Sequence, residues 1–210
     1  MNNKKLLEYN QAIFDINHKK YSKQECFQLG FFNGQEVLFL GINPGIPYTK
    51  KLREEVDVVI EQSNFDDFQK DYERVIKITK MGIFMKQVIG DDWSEIGLTN
   101  IVKIATSSNR LPTSKLVEKF LPITKKQIDL LQPKIVLCLG KFVGSFFDID
   151  TFYDSCTINN SRYILIPHPS YLFRMGMIDN AIIKIKNILN NINKTCKNEF
   201  LKPTQLTLFT

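Results

Sequence analysis

Val37-Leu38-Phe39-Leu40-Gly41-Ile42-Asn43-Pro44-Gly45 is the stretch that decides the fold. Four consecutive large apolar residues halted by Gly, Asn, Pro and Gly read as a buried strand handing over to a turn. The design recurs about 125 residues later, where Ile164-Leu165-Ile166 runs into Pro167 and then His168-Pro169-Ser170-Tyr171-Leu172-Phe173-Arg174. In an open α/β sheet, ligands bind beyond the carboxyl ends of the strands. A carboxamide and an imidazole delivered there can converge on one substrate.

Working outward, Lys4 to Asn17 has the spacing of an amphipathic helix, and Lys50 to Ile89 fits two or three more. Gly97 to Lys103 reads as a second strand, followed by a polar loop, Ala105 to Arg110, and a helix from Thr113 to Leu131 with Thr113 as a plausible cap. Lys134 to Gly140 is a third strand, fully buried by its continuous apolar character, Lys141 to Phe147 a short helix, and Tyr163 to Ile166 a fourth strand. Ile182, Ile185, Ile188 and Leu189 then mark a closing helix over Asp179 to Ile192. Strands alternating with helices predict a three-layer α/β/α sandwich around a central, mainly parallel four-stranded sheet.

The 210 residues, 43% of them hydrophobic, suit one domain, assigned to residues 1–192, with 193–210 as a polar tether and tail. No stretch approaches a membrane span, and Met1-Asn2-Asn3-Lys4-Lys5 lacks the features of a secretory signal, so a cytoplasmic protein is expected; a monomer is expected as well. The net charge of +6 suits an anionic partner. Cys26, Cys138, Cys156 and Cys196 show neither CxxC spacing nor a nearby histidine, which argues against zinc and against a disulfide framework; no metal or cofactor is expected.

These motifs resemble the uracil-DNA glycosylase superfamily over roughly residues 36 to 190. Gly41 to Gly45 is similar to the first motif of the mismatch-specific and single-strand-selective members, in which the asparagine positions the attacking water. His168 to Arg174 is similar to the second motif, whose histidine contacts the uracil. Leu98-Thr99-Asn100-Ile101-Val102-Lys103, Asn109-Arg110-Leu111-Pro112 and Leu131-Gln132-Pro133-Lys134 resemble the thermophilic-type, iron-sulfur branch. The chain departs from that branch at Ile42, where the branch is acidic, and at Ile104, where it has cysteine; its amino-terminal cysteine pair is also missing. A cluster needs well-placed thiolates, so none is expected.

The resemblance implies a glycosylase that excises uracil from DNA and leaves an abasic site, with Asn43 and His168 catalytic. A neutral His168 would donate to uracil O2 as charge builds there, and Asn43 would orient water but, as an amide, accept no proton. Asn100 offers an acceptor for N3–H and a donor for O4, a pattern that opposes cytosine. Gly41, Ile42 and Ser170 complete the substrate pocket, with Tyr48 as aromatic floor and Phe65 or Phe68 as alternatives. A base must leave the duplex to react; Leu172 and Phe173 are candidate wedges, and Lys103, Arg110 and Arg174 candidate phosphate ligands. A glycosylase for another deaminated base such as hypoxanthine, and a noncatalytic nucleic-acid-binding module, are the rivals.

The chain ends Gln205-Leu206-Thr207-Leu208-Phe209-Thr210, which resembles the peptide by which bacterial repair proteins bind the sliding clamp. Gln205, Leu206, Leu208 and Phe209 would be its contacts, on an extended, tethered segment. The rival expectation is a tail folded back onto its own domain.

Overall fold

The computed structural model describes residues 4–21, 25–45, 49–62, 64–106 and 110–200, with Ile60 and residues 193–200 described by backbone alone. Helix α1 (Lys4–Asn17) buries Leu6, Asn10, Phe14 and Asn17, a stripe at helical spacing. Strand β1 (Phe31–Phe32) and strand β2 (Val37–Gly41) follow. Helices α2 (Lys50–Ile60), α3 (Phe65–Lys77) and α4 (Lys80–Ile89) fill the long segment before strand β3 (Ile96–Asn100). Thr49, Asn64 and Thr79 cap these three helices by accepting from backbone N–H groups in their first turns.

Helix α5 (Ser114–Leu131) is capped by Thr113, as expected, and ends at Gln132 in the left-handed conformation. Then come strand β4 (Ile135–Leu139), helix α6 (Lys141–Gly144) with a 3₁₀ turn over Ser145–Phe147, and the hairpin of β5 (Ser155–Ile158) and β6 (Ser161–Ile166). Helices α7 (Pro169–Met175) and α8 (Ile178–Phe200) are the last described elements. Among the described residues no helix is long and apolar enough to cross a membrane.

Among the described residues the sheet has six strands, in the order β1-β3-β2-β4-β6-β5. The four expected strands, β3, β2, β4 and β6, pair in parallel and form its centre. The two additional strands pair antiparallel at the edges. Every residue of β2 and β4 is buried, which explains their unbroken apolar character: helices cover both faces.

Two boundaries differ from expectation. The second strand stops at Asn100 instead of Lys103, because Ile101 and Val102 turn over the tip of β2 and donate their N–H groups to the carbonyls of Gly41 (2.9 Å) and Ile42 (2.8 Å). The last helix runs on to Phe200 instead of ending near Ile192, so the expected tether is helical over 193–200; Asn and Lys cost a helix little in intrinsic propensity.

Candidate active site

The four parallel strands end at one edge of the sheet, and each tip supplies a residue to it. At β2, buried Gly41 leads into half-buried Ile42 and Asn43. The Asn43 Nδ2 donates to the Pro44 carbonyl (3.2 Å) and to Thr106 Oγ1 (3.0 Å). Among the described residues its Oδ1 has no partner.

Asn100 ends β3 directly beside Gly41 in register. Its carboxamide is packed so closely that a Cβ at Gly41 would stand 2.3 Å from Oδ1. The buried hydroxyl of Tyr72, from α3, interacts with the same carboxamide, while burial raises the Tyr72 pKa. Asn100 is 7% exposed, so its polar tip is held in place more than it is solvated.

At the tip of β4 stands Gly140, with φ +94°, a conformation that favours glycine. A Cβ there would meet His168 Cβ at 3.4 Å. Neighbouring strands lie about 4.8 Å apart, so with β4 between them β2 and β6 run roughly 10 Å apart. Glycine at the intervening tip keeps that interval free of a side chain.

His168 caps helix α7, its Nδ1 accepting from the N–H of Ser170 at 3.2 Å. This bond fixes the neutral tautomer with the proton on Nε2. Burial pushes the imidazole pKa below its ordinary 6.5, which favours the same neutral form. Pro169 follows at the first helical position, where its missing N–H costs nothing.

The remaining sequence-based candidates divide. Ser170, Arg174 and Arg110 are exposed, and Phe173 is half-buried beneath Lys80, whose Nζ lies 5.9 Å from the ring centre. Lys103 is not a phosphate ligand: it is 0% exposed and donates to Thr99 Oγ1 (2.7 Å), the Asn100 carbonyl (2.6 Å) and Gln127 Oε1 (2.6 Å). Gln127 in turn donates to Asn10 Oδ1 at 2.7 Å, so the lysine ties β3, α5 and α1 together from inside.

Leu172 is not a wedge either. It is 1% exposed and part of the core, whereas its neighbour Tyr171 is 42% exposed, with Arg174 stacked 5.9 Å from its ring. Phe65 and Phe68 are fully buried in a cluster with Phe14 and Tyr72, which removes both as base-stacking floors. Tyr48, and Gln205, Leu206, Leu208 and Phe209, lie outside the described residues.

Sequence reasoning missed Thr106, Tyr72, Gly140 and Tyr171. Thr106 sat in a segment read only as a polar loop. Tyr72 follows Phe68 by four residues, a spacing that marks one helix face and was the available signal. Two surface clefts, of about 220 and 210 Å³, flank the β5–β6 hairpin and include none of Asn43, Asn100 and His168.

The described residues do not fit an iron-sulfur cluster. Ile104, buried and apolar, occupies the position after Lys103, and no group of His, Cys, Asp or Glu able to hold a metal occurs among the described residues. Cys26, Cys138 and Cys156 are free thiols, and burial raises the pKa of each.

Comparison with known proteins adds to this geometry. The family model described as uracil DNA glycosylase superfamily matches residues 29–190. A type-4 uracil-DNA glycosylase of Archaeoglobus fulgidus is 32% identical over 66 residues, 30% of this chain and 33% of that protein. A type-4 uracil-DNA glycosylase of Sulfurisphaera tokodaii is 32% identical over 57 residues, 27% of this chain and 26% of that protein. The chain spans a third or less of the length of these curated relatives.

Proposed function

This chain belongs to the uracil DNA glycosylase superfamily, and from that premise we propose that it hydrolyses the N-glycosidic bond of uracil in DNA and leaves an abasic site. The bond between C1′ and N1 breaks to give an oxocarbenium-like sugar and a uracil anion with charge on its carbonyl oxygens. Water adds at C1′, and its proton leaves to solvent or to the departing base. The observation that carries the assignment is the Ser170 N–H bond to His168 Nδ1, which leaves Nε2–H as a neutral donor at the strand tips.

Donated to uracil O2, that hydrogen bond acts as an oxyanion-hole contact, of about 3 kcal/mol in a preorganised dry site. Asn43 Oδ1 accepts a hydrogen from the attacking water and orients it, and as an amide takes no proton. Asn100 reads the O4 and N3–H edge. Arg110 and Arg174 hold phosphates, and the exposed Tyr171 takes over the wedge role that buried Leu172 cannot fill.

The test is incubation of the purified protein with labelled oligonucleotides carrying uracil, hypoxanthine or a normal base, single-stranded or paired, followed by alkaline cleavage. Strand breaks at uracil are expected. Binding without breaks favours a noncatalytic module, and breaks only at hypoxanthine favour the other base. His168→Ala and Asn43→Ala should each slow cleavage far more than they weaken binding; full activity in both removes them from the mechanism.

The tail Gln205 to Phe209 is proposed as a docking peptide for the bacterial sliding clamp. Deleting residues 204–210 should abolish clamp binding and leave the melting temperature unchanged. A large loss of stability instead would mean that the tail packs on its own domain.

A further inference from the structure

We propose that Thr106 is a positioning residue that locks the Asn43 carboxamide with its oxygen presented to the attacking water. The inference rests on the assignment of Asn43 above and concerns how that side chain is held. A carboxamide is nearly symmetric in shape, so its two orientations are distinguished only by hydrogen bonds. An asparagine free to flip would present an N–H donor to the water part of the time, and a donor cannot steer the lone pair of water toward C1′.

Two neighbours of Asn43 Nδ2 remove that ambiguity. The Pro44 carbonyl, 3.2 Å away, can only accept. Thr106 Oγ1, 3.0 Å away, can either accept or donate, but its own proton is given to the Arg110 carbonyl. The hydroxyl is therefore an acceptor toward Asn43. A flipped amide would set Oδ1 against two acceptors, so the nitrogen faces Thr106 and Pro44 and the oxygen faces away from both.

Thr106 is itself well anchored. The chain leading to it crosses the tip of β2 through the Ile101 and Val102 N–H groups, and Ala105 donates to the Glu25 carbonyl at 2.7 Å. The relay thus runs from the loop after β3, through one hydroxyl, to the loop after β2. It binds the two strand tips at the atom where orientation matters.

The test uses the full chain under single-turnover conditions with a uracil-containing single strand, comparing wild type, Thr106→Val, Thr106→Ser, Asn43→Ala and the double variant Asn43→Ala with Thr106→Val. Valine keeps the shape and removes the relay, and the rate should fall about tenfold, the value of one neutral hydrogen bond. Binding of the oligonucleotide and the melting temperature should stay unchanged. Serine, which keeps the hydroxyl, should recover most of the rate, and valine should cost nothing further once Asn43 is alanine.

If Asn43→Ala is slow and Thr106→Val is fast, the positioning role fails while the site assignment stands. Equal losses in the valine and serine variants, or a full additional loss in the double variant, also overturn it. If the wild type releases no uracil, or Asn43→Ala is as fast as wild type, the functional assignment fails and the positioning role with it.

Discussion

A β-carbon on Gly41 would lie 2.3 Å from Oδ1 of Asn100, so the residue at the tip of β2 sets where the carboxamide at the tip of β3 can be. The backbone of Gly41 is not in the left-handed region, and alanine meets the side chain of Asn100 at 2.3 Å. Asn100 is buried and engaged by Tyr72, so Gly41→Ala, which swings it out of position and breaks that contact, should cost about 1–3 kcal/mol. Denaturant melts alongside single-turnover cleavage of uracil should show a lowered midpoint and, in the protein that remains folded, a rate reduced roughly tenfold or more; a normal rate would detach Asn100 from catalysis.

The pH dependence should follow His168. Its folded pKa is pushed below 6.5 by burial, so on acidification the unfolded chain takes up the proton first. The contribution to stability is full above about pH 6.5 and declines as pH falls toward the folded value. Protonation of Nδ1 also sets a new N–H against the N–H of Ser170, breaking the cap of α7. The rate should fall with an inflection below pH 6.5, and an inflection above it would count against burial as the dominant influence.

Lys103 and Arg174 should respond in opposite ways to substitution. Lys103→Met strips the donor from Gln127 Oε1 and should cost about 2 kcal/mol of stability, leaving the salt dependence of DNA binding alone. Arg174→Ala should leave the melt alone and reduce the slope of log affinity against log salt by about one. The pKa of Lys103 is driven well below 10.5 by burial, and its three partners are neutral acceptors. The unfolded chain therefore holds the extra proton, and wild type should gain stability relative to Lys103→Met as pH rises toward 10.5.

Adjacent residues of α7 should likewise separate. Leu172→Ala should destabilise by about 3 kcal/mol, as a buried leucine does. Tyr171→Ala should melt normally and bind DNA containing uracil in a duplex more weakly. Loss of stability from the tyrosine change and none from the leucine would contradict the orientation of this helix.

The centre of the fold was legible because strands covered on both faces write themselves as unbroken apolar runs, as in Val37 to Leu40 and Ile135 to Leu139. The edge strands were not. Phe31–Phe32 is too short to show a period, and Ser155 to Ile158 alternates exposed with half-buried residues in a segment rich in Ser and Thr. Asn43 and His168 stood out as polar residues immediately past apolar runs, where strands of this kind deliver side chains to an edge.

Charge misled the reading of Lys103, since a lysine is ordinarily solvated and only its fold partners Thr99 and Gln127 make burial tolerable. Leu172 was a missed phase: Pro169 and Leu172, three residues apart, are the buried pair of α7, and that spacing leaves Tyr171 facing outward. Thr106 carried no sequence signal, because its role depends on a contact between loops 63 residues apart.

The sealed environment of Lys103 has a practical corollary. Acylating reagents will tag the exposed lysines of this chain at once, but an amine with no solvent contact reacts only when the surrounding domain comes apart. The time at which a label first appears at this one position, read by mass spectrometry, is therefore a clock for global opening that needs no engineered probe.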